Sequence, residues 1–247
     1  MSARRDILLI CGGLYHDIDF VRLELLKLLA EDDRNRVTVR EDYSDIDALD
    51  KADALITYTC EVLPGESEQD GLAQFLGNGK RWLALHGTNS CLKYVKGTGW
   101  TAPDDAPRFM EMLGSQFMSH PPIQPYEVYV TEPDHELVKD IPTFTVDDEL
   151  YLCKFHGQLQ TLLHTHWSYP VPNFVRDDWI KESDVQPLYY LHPYGEGTVL
   201  YLTLGHCRGK YDMQPLLEEY PVAEEGAWRK EEFYELLRRG IKWAMEP

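Results

Sequence analysis

The chain has few of the features that mark secreted or membrane-spanning proteins. Its five cysteines are odd in number and form no CxxC pair, which argues against a disulfide framework and favours a reducing compartment. Near the amino terminus, apolar residues run only from position 7 to position 11 before Gly12 interrupts them. That run is too short for a signal peptide or a membrane span, so we expect a cytoplasmic protein.

Positive charge is also scarce. The 24 Lys and Arg residues face 42 Asp and Glu residues, and the formal net charge is −18. Nucleic acids and anionic membranes attract clustered Lys and Arg, so we expect neither as a partner. The G-x-G-x-x-G and P-loop patterns are absent from the sequence, so we expect no nucleotide cofactor; the HExxH pattern of zinc proteases is absent too.

Two apolar runs that are present in the sequence lead into glycine and histidine. Residues 82–85 are followed by His86 and Gly87, and residues 199–204 are followed by Gly205 and His206. An apolar run bounded by turn residues is typical of a strand buried on both faces in a parallel sheet. Ligands bind such sheets beyond the carboxyl ends of the strands, where glycine permits close approach. We therefore expect both histidines at one rim of a sheet.

The order of the elements predicts an α/β fold. Apolar runs predict strands at residues 7–11, 53–60 and 82–85, and an alternating β-branched stretch predicts a strand nearer the edge at residues 36–40. In chain order, helical spacing follows the first and third of these four strands. This β-α-β-β-α-β order favours a mainly parallel central sheet with helices on both faces. Residues 194–197 predict a hairpin turn, and residues 229–245 predict a closing amphipathic helix. Because the sequence shows no internal repeat and no linker, we expect one domain over residues 1–247.

The rim histidines are the leading candidates for chemistry. Histidine titrates near neutral pH and is a common metal ligand, so two at one rim serve either as acid and base or as ligands of a divalent metal. Glu149 is the expected third group and His16 the expected fourth, although a solvated acidic turn also explains residues 147–149. We assign His86, His206 and Glu149 as catalytic, and His86, His206 and His16 as metal ligands.

His164 and His166 form a weaker candidate pair, which alternation along a surface strand explains equally well.

Several segments resemble the ThuA-like (trehalose utilisation) family in order and spacing: residues 83–88, 114–121, 148–151, and 195–197 together with 201–206. The resemblance implies a flavodoxin-like three-layer sandwich, similar to class I glutamine amidotransferases. In those enzymes a strand-turn-helix elbow carries a nucleophilic cysteine, and a later strand end carries histidine followed two residues on by glutamate. Here His86 stands at the elbow and Arg208 replaces the glutamate, so glutaminase chemistry is not expected.

The resemblance implies a role in carbohydrate utilisation. We expect an enzyme that acts on a disaccharide, glycoside or oxidised sugar derivative through the rim histidines, with a divalent metal such as zinc as cofactor. The residues assigned to substrate binding are Gly13, His16, Gly87, Thr88 and His120. The expected partner is a small carbohydrate, and assembly into a homo-oligomer stays open.

Two other functions also stay open. One is a non-catalytic sugar-binding or regulatory module that kept the fold after losing the cysteine. The other is a cysteine-dependent hydrolase that uses Cys91 or Cys60.

Overall fold

The computed structural model describes residues 4–175 and 183–246 of the chain. In chain order its strands are β1 (Arg5–Gly13), β2 (Asn35–Arg40), β3 (Ala54–Cys60), β4 (Arg81–Leu85), β5 (Lys93–Val95), β6 (Gly99–Thr101), β7 (Ser115–Ser119), β8 (Gln124–Val130), β9 (Phe144–Asp148), β10 (Leu152–Phe155), β11 (Gln160–His166), β12 (Val185–Tyr194) and β13 (Gly197–Leu202). The helices are α1 (Ile18–Leu29), α2 (Ile46–Lys51), α3 (Glu66–Gly77), α4 (Pro107–Leu113) and α5 (Glu231–Ala244).

A nine-stranded sheet in the order β2-β1-β3-β4-β13-β12-β11-β8-β9 organises these residues. The five strands from β2 to β13 run parallel, and the remaining four continue the sheet in antiparallel pairing. The expected α/β fold with a large, mainly parallel central sheet is therefore confirmed, and the sheet is mixed. The turn between β12 and β13 closes the predicted hairpin.

Helices cover both faces of the parallel half, as a three-layer sandwich requires. Alternate residues of a strand point to opposite faces. In β1, Ile7 and Leu9 pack in the same apolar cluster as buried residues of α1 and α5. Leu8 and Ile10 pack in a second cluster with buried residues of α2, α3 and α4. The continuous apolar runs of the sequence arise because both faces of these strands are buried.

The expected β-α-β-β-α-β order for the first ninety residues is wrong in one element. The short helix α2 lies between β2 and β3, so strands and helices alternate throughout. Asp45 caps this helix, because its side chain accepts a hydrogen bond from the backbone N–H of Ala48 at 2.9 Å. Six residues make fewer than two helical turns, which is too short for a clear apolar period.

The register of the sheet brings the two histidine-bearing ends together. Leu85, the last residue of β4, pairs with Leu202, the last residue of β13. On the other side, β1 ends at Gly13 opposite Cys60 of β3. Gly13 has a φ of 114°, and a Cβ atom there would lie 1.9 Å from the Cys60 carbonyl oxygen. Glycine is therefore needed where the chain leaves β1 toward His16.

Within the described ranges, no helix has both the length and the apolar character needed to cross a membrane.

Candidate metal centre

His86 stands directly after β4 on a strained turn. Its φ is 39°, a left-handed conformation that a non-glycine residue adopts only when its surroundings enforce it. The Tyr201 hydroxyl donates to the His86 carbonyl oxygen at 2.6 Å. The imidazole is fully buried, and its Nδ1 lies 2.7 Å from the Thr203 carbonyl oxygen. A carbonyl only accepts, so Nδ1 carries the proton and Nε2 presents a lone pair.

His16 faces His86 from the loop after β1. Its Nδ1 lies 3.2 Å from the Leu14 carbonyl oxygen, which by the same reasoning leaves a lone pair on Nε2. The two Nε2 atoms are 3.0 Å apart. Two lone pairs at that distance repel each other unless a proton or a metal ion lies between them. The pair therefore requires a shared proton or a metal ion.

His206 completes the set of imidazoles after the glycine turn at the end of β13. Its Nε2 lies 2.8 Å from a carboxylate oxygen of Glu224, to which it donates. Its buried Nδ1 has no hydrogen-bond partner among residues 4–175 and 183–246, and lies 3.5 Å from Oε2 of Glu149. This second ring nitrogen is therefore the one available to a ligand.

Asp148 fixes the backbone that carries His206. Its buried carboxylate accepts the backbone N–H groups of Gly205 at 3.0 Å, His206 at 3.1 Å and Ala227 at 2.7 Å. Burial raises the pKa of this carboxyl group. The Asp148 side chain thus connects the end of β9 to two segments, one before and one after Glu224 in the chain.

Glu149 lies at the centre of the histidines. Its Oε2 is 3.6 Å from Nε2 of His86, 3.9 Å from Nε2 of His16 and 3.5 Å from Nδ1 of His206. One donor atom from each of these four residues lies within 4.8 Å of all the others. Four donors around a tetrahedral zinc ion lie about 3.3 Å apart, so these atoms are close enough to converge on one ion after a small inward shift.

The surroundings shift the pKa values of the cluster residues in different directions. Burial opposes ionisation of Glu149, but the charges of His120 and His206 hold its pKa well below the usual range. Burial also opposes protonation of His206, yet Glu149 and Glu224 raise its pKa to about 9. Burial and the neighbouring His86 and His206 lower the pKa of His16 well below its usual value. A divalent cation would satisfy all four donor atoms at once.

A cavity of about 190 Å³ opens over this cluster, with His16 and Glu149 in its lining. Aromatic rings form much of its wall: Tyr15, Trp100, Phe117, Tyr151 and Phe174. The other lining residues are Cys60, Glu61, Ser90, Leu92, His120, Arg208, Met213 and Leu216. His120 therefore lies where substrate-binding residues were expected.

Three other residues assigned to substrate binding lie outside that lining. Gly13 and Gly87 both approach neighbouring backbone, and a Cβ atom on Gly87 would lie 2.6 Å from the Thr59 carbonyl oxygen. The buried Thr88 hydroxyl donates to the Leu85 carbonyl oxygen at 2.7 Å. These contacts show how each residue shapes the rim, and their role in substrate binding stays a prediction.

The family model for ThuA, described as trehalose utilisation, matches residues 6–219. The chain belongs to the ThuA family.

Solved structures with the same fold include ThuA-like proteins. The one from Parabacteroides merdae ATCC 43184 is 17% identical with a TM-score of 0.69, and the match covers 98% of this chain and 90% of that one. The one from Bacteroides uniformis ATCC 8492 is 18% identical with a TM-score of 0.68, over 99% of this chain and 93% of that one.

A more distant match is a cytoplasmic protein of Salmonella typhimurium LT2, which is 13% identical with a TM-score of 0.53 over 98% of this chain and 99% of its own. At these identities the likeness shows the fold alone. Among proteins with curated descriptions, none matches this ThuA-family chain.

Sequence reasoning missed three residues of this ThuA-family site. Glu61 follows the last residue of β3, so its place at the rim was visible but its role was not. Arg208 lies two residues after His206, close enough to serve as a signal. Glu224 lies in an irregular segment 18 residues after His206, and nothing in the local pattern marks it. Its contact with His206 depends on tertiary structure alone.

Neither candidate cysteine has the surroundings of a nucleophile. Cys60 lines the cavity, but its burial raises the thiol pKa well above the usual range. The Cys91 thiol donates to Glu61 at 3.6 Å, and burial together with that carboxylate raises its pKa to about 12. A reactive cysteine needs a lowered pKa, so these positions do not favour the cysteine-hydrolase alternative.

His164 and His166 lie on β11, in the antiparallel half of the sheet. His164 Nδ1 contacts the Thr131 hydroxyl at 2.8 Å, and His166 Nδ1 contacts Asp184 at 3.2 Å. Neither belongs to the group of four close donors found among the described residues.

Proposed function

We propose that this ThuA-family protein is a divalent-metal-dependent enzyme that acts on a disaccharide, glycoside or oxidised sugar derivative. The observation that carries the proposal is the convergence of His16, His86, His206 and Glu149 on one buried point. The second nitrogen of each ring is held by a carbonyl or a carboxylate. Histidines that bind metals commonly donate their other ring N–H to a carbonyl or carboxylate oxygen. The same arrangement here supports a metal site.

Three imidazoles and one carboxylate suit zinc and other first-row divalent metals. The nearby thiols do not belong to the set of converging donors. When bound, such a metal would act as a Lewis acid toward a hydroxyl or carbonyl oxygen of the substrate. His16 and Glu149 line the cavity, so a ligand in the cavity would reach the same point.

His120 is the side chain best placed to exchange a proton with the substrate. Its Nδ1 lies 2.9 Å from the Pro121 carbonyl oxygen, which directs Nε2 toward Glu149 at 3.4 Å. The side chain is 28% exposed, whereas that of Glu149 is only 5% exposed. A histidine that lies on the wall and outside the four converging donors is available for acid-base chemistry.

The charges of the wall favour an uncharged sugar. Arg208 is paired with Glu224 at 3.0 Å and lies 3.7 Å from Glu149, so it is engaged by two carboxylates. Glu61 accepts the backbone N–H of Leu92 at 2.6 Å and the Cys91 thiol at 3.6 Å. A carboxylate beside aromatic faces binds hydroxyl groups and repels phosphate.

A cytoplasmic location belongs to the same proposal. It is supported by the five cysteines, all of which are free thiols in the structure.

Metal analysis of the purified protein tests the proposal. We expect about one zinc or manganese ion per chain, and His86→Ala should weaken binding at least 100-fold because a ligand is lost. His166→Ala is the matched control, since it removes a half-exposed histidine outside the cluster. A wild-type protein that binds neither ion at micromolar concentration contradicts the metal assignment.

The metal-loaded protein then distinguishes an enzyme from a binding module. Trehalose, glucose and glucose 6-phosphate are the first probes, with binding followed by calorimetry and turnover by mass spectrometry. We expect the neutral sugars to bind more tightly than the phosphate. Sugar binding without turnover across a wider panel of glycosides and oxidised sugars would favour the non-catalytic alternative.

A further inference from the structure

Arg208 and Glu224 form the neck of an irregular loop, residues 209–223, at the cavity. The backbone N–H of each donates to the carbonyl oxygen of the other, both at 2.8 Å. Met213 and Leu216 of this loop line the cavity, and Leu216 remains 46% exposed. A surface loop whose ends are paired and whose apolar side chains are poorly buried opens more readily than the core.

The side chains of this neck also contact the candidate metal centre. One carboxylate oxygen of Glu224 accepts from His206 Nε2 at 2.8 Å and from Arg208 Nη1 at 3.0 Å. The Nη2 atom of Arg208 lies 3.7 Å from Oε1 of Glu149. The neck is therefore in contact with two of the four converging donors.

Glu224 selects which nitrogen of His206 faces the cluster. In the singly protonated ring that a metal requires, Nε2–H donates to Glu224 and Nδ1 is the atom left for a metal. Without Glu224, the ring can instead keep its proton on Nδ1 and donate it to Glu149, whose Oε2 is 3.5 Å away. In that tautomer Nδ1 carries a proton and has no free lone pair. His206 then cannot bind a metal through Nδ1.

We propose that Glu224 is a positioning residue of the metal centre and that, with Arg208, it couples metal occupancy to closure of the loop 209–223. The inference rests on the proposed function, because it needs a metal at the cluster. A neck that stabilises the bound metal is itself stabilised by that metal to the same extent. The loop is then most closed over the cavity when the centre is loaded.

The first measurement is Zn²⁺ affinity, obtained by competition with a chelator. We expect Glu224→Ala to bind Zn²⁺ about 10- to 100-fold more weakly than wild type, the usual effect of losing such a partner. Glu224→Gln should lose less, because its amide oxygen still accepts the His206 proton. Glu225→Gln is the control, since Glu225 pairs with Arg229 at 2.9 Å and is not one of the converging donors.

The second measurement is closure of the loop with and without Zn²⁺. In wild type, Zn²⁺ should slow tryptic cleavage after Lys210 and amide exchange at Arg208 and Glu224. In Glu224→Ala, saturating Zn²⁺ should give much less protection. If that variant does not fold by circular dichroism, Glu224→Gln decides the result.

The outcomes separate the two claims. Absence of Zn²⁺ and Mn²⁺ binding to wild type overturns the proposed function and this inference with it. Normal metal binding by wild type, together with equal affinity in a folded Glu224→Ala protein or unchanged protection of the loop, overturns only the inference.

Discussion

Both ends of the parallel strands carry clusters of charged side chains, and only one end buries them. At the amino ends, Arg5 pairs with Asp32 at 3.1 Å and Lys80 with Asp53 at 3.6 Å. Those four side chains are 26% to 50% exposed. At the carboxyl ends, the side chains of His16, His86, His206 and Glu149 are at most 5% exposed.

The contrast shows which cluster requires a functional explanation. Exposed pairs at the amino ends are screened by water, and each charge has a partner or solvent. At the carboxyl ends, buried lone pairs point at one another, and burial without compensation is costly. Such an arrangement needs compensation, and the proposed metal ion would supply it. The same strands thus carry an ordinary solvated surface at one end and a candidate active site at the other.

The largest expected effect comes from removing the side chain that holds the buried end together. Asp148→Ala leaves four backbone N–H groups without their acceptor: those of Glu149, Gly205, His206 and Ala227. Each unpaired buried donor costs about 1–3 kcal/mol, so we expect the free energy of unfolding to fall by at least about 4 kcal/mol. Urea denaturation measures this.

Asp147→Ala is the matched control for that measurement, because Asp147 precedes Asp148 on β9 and is exposed. A loss for Asp148→Ala no larger than that of the control would mean that the buried end does not depend on this carboxylate.

The next effect is a dependence of stability on pH in the metal-free protein. The folded protein raises the pKa of His206 to about 9, so the stabilisation is complete below about pH 6.5 and is lost as pH rises toward 9. Between pH 6.5 and 8 the contribution of His206 to the free energy of unfolding should fall by about 1–2 kcal/mol, and the lowered pKa values of His16, His156 and His164 offset part of that fall. Urea denaturation in a chelator measures this below the range where unfolded-state thiols ionise.

Two controls sharpen the pH measurement. His206→Gln should show a flatter profile, because the titrating imidazole is gone. Saturating Zn²⁺ should also flatten it, since a metal replaces the proton that His206 otherwise holds. If the stability difference between wild type and His206→Gln does not fall over this range, the assigned proton is contradicted.

The parallel and antiparallel halves of the sheet also differ in how well the sequence predicts their strands and strand pairing. In the parallel half, both faces of each strand are buried, so β1, β3 and β4 were recognisable as continuous apolar runs. In the other half, alternation over residues 126–131 also predicts the strand β8, but its pairing is set by distant partners. The short helix α2 was missed because its six residues carry almost no period.

The same contrast between local pattern and distant contacts explains which site residues the sequence predicted. His86 and His206 were visible because each follows a predictable strand by a few residues, and parallel register then placed them together. Glu149 and His16 were expected on the same rim and lie there. Glu224 was not expected, because its place depends on a backbone pairing with Arg208 across an irregular segment. No local pattern encodes such a contact.

The smallest expected effect belongs to the exposed end of the strands. Lys80→Gln removes one member of the pair with Asp53, whose side chains are 36% and 50% exposed. We expect the free energy of unfolding to change by about 0.5 kcal/mol or less, and the change to shrink further in high salt. Zn²⁺ affinity should stay at the wild-type value, because Lys80 precedes β4 and His86 follows it. A loss comparable to that of Asp148→Ala, or a weakened metal site, would mean that the two ends of the sheet do not differ in the way their burial indicates.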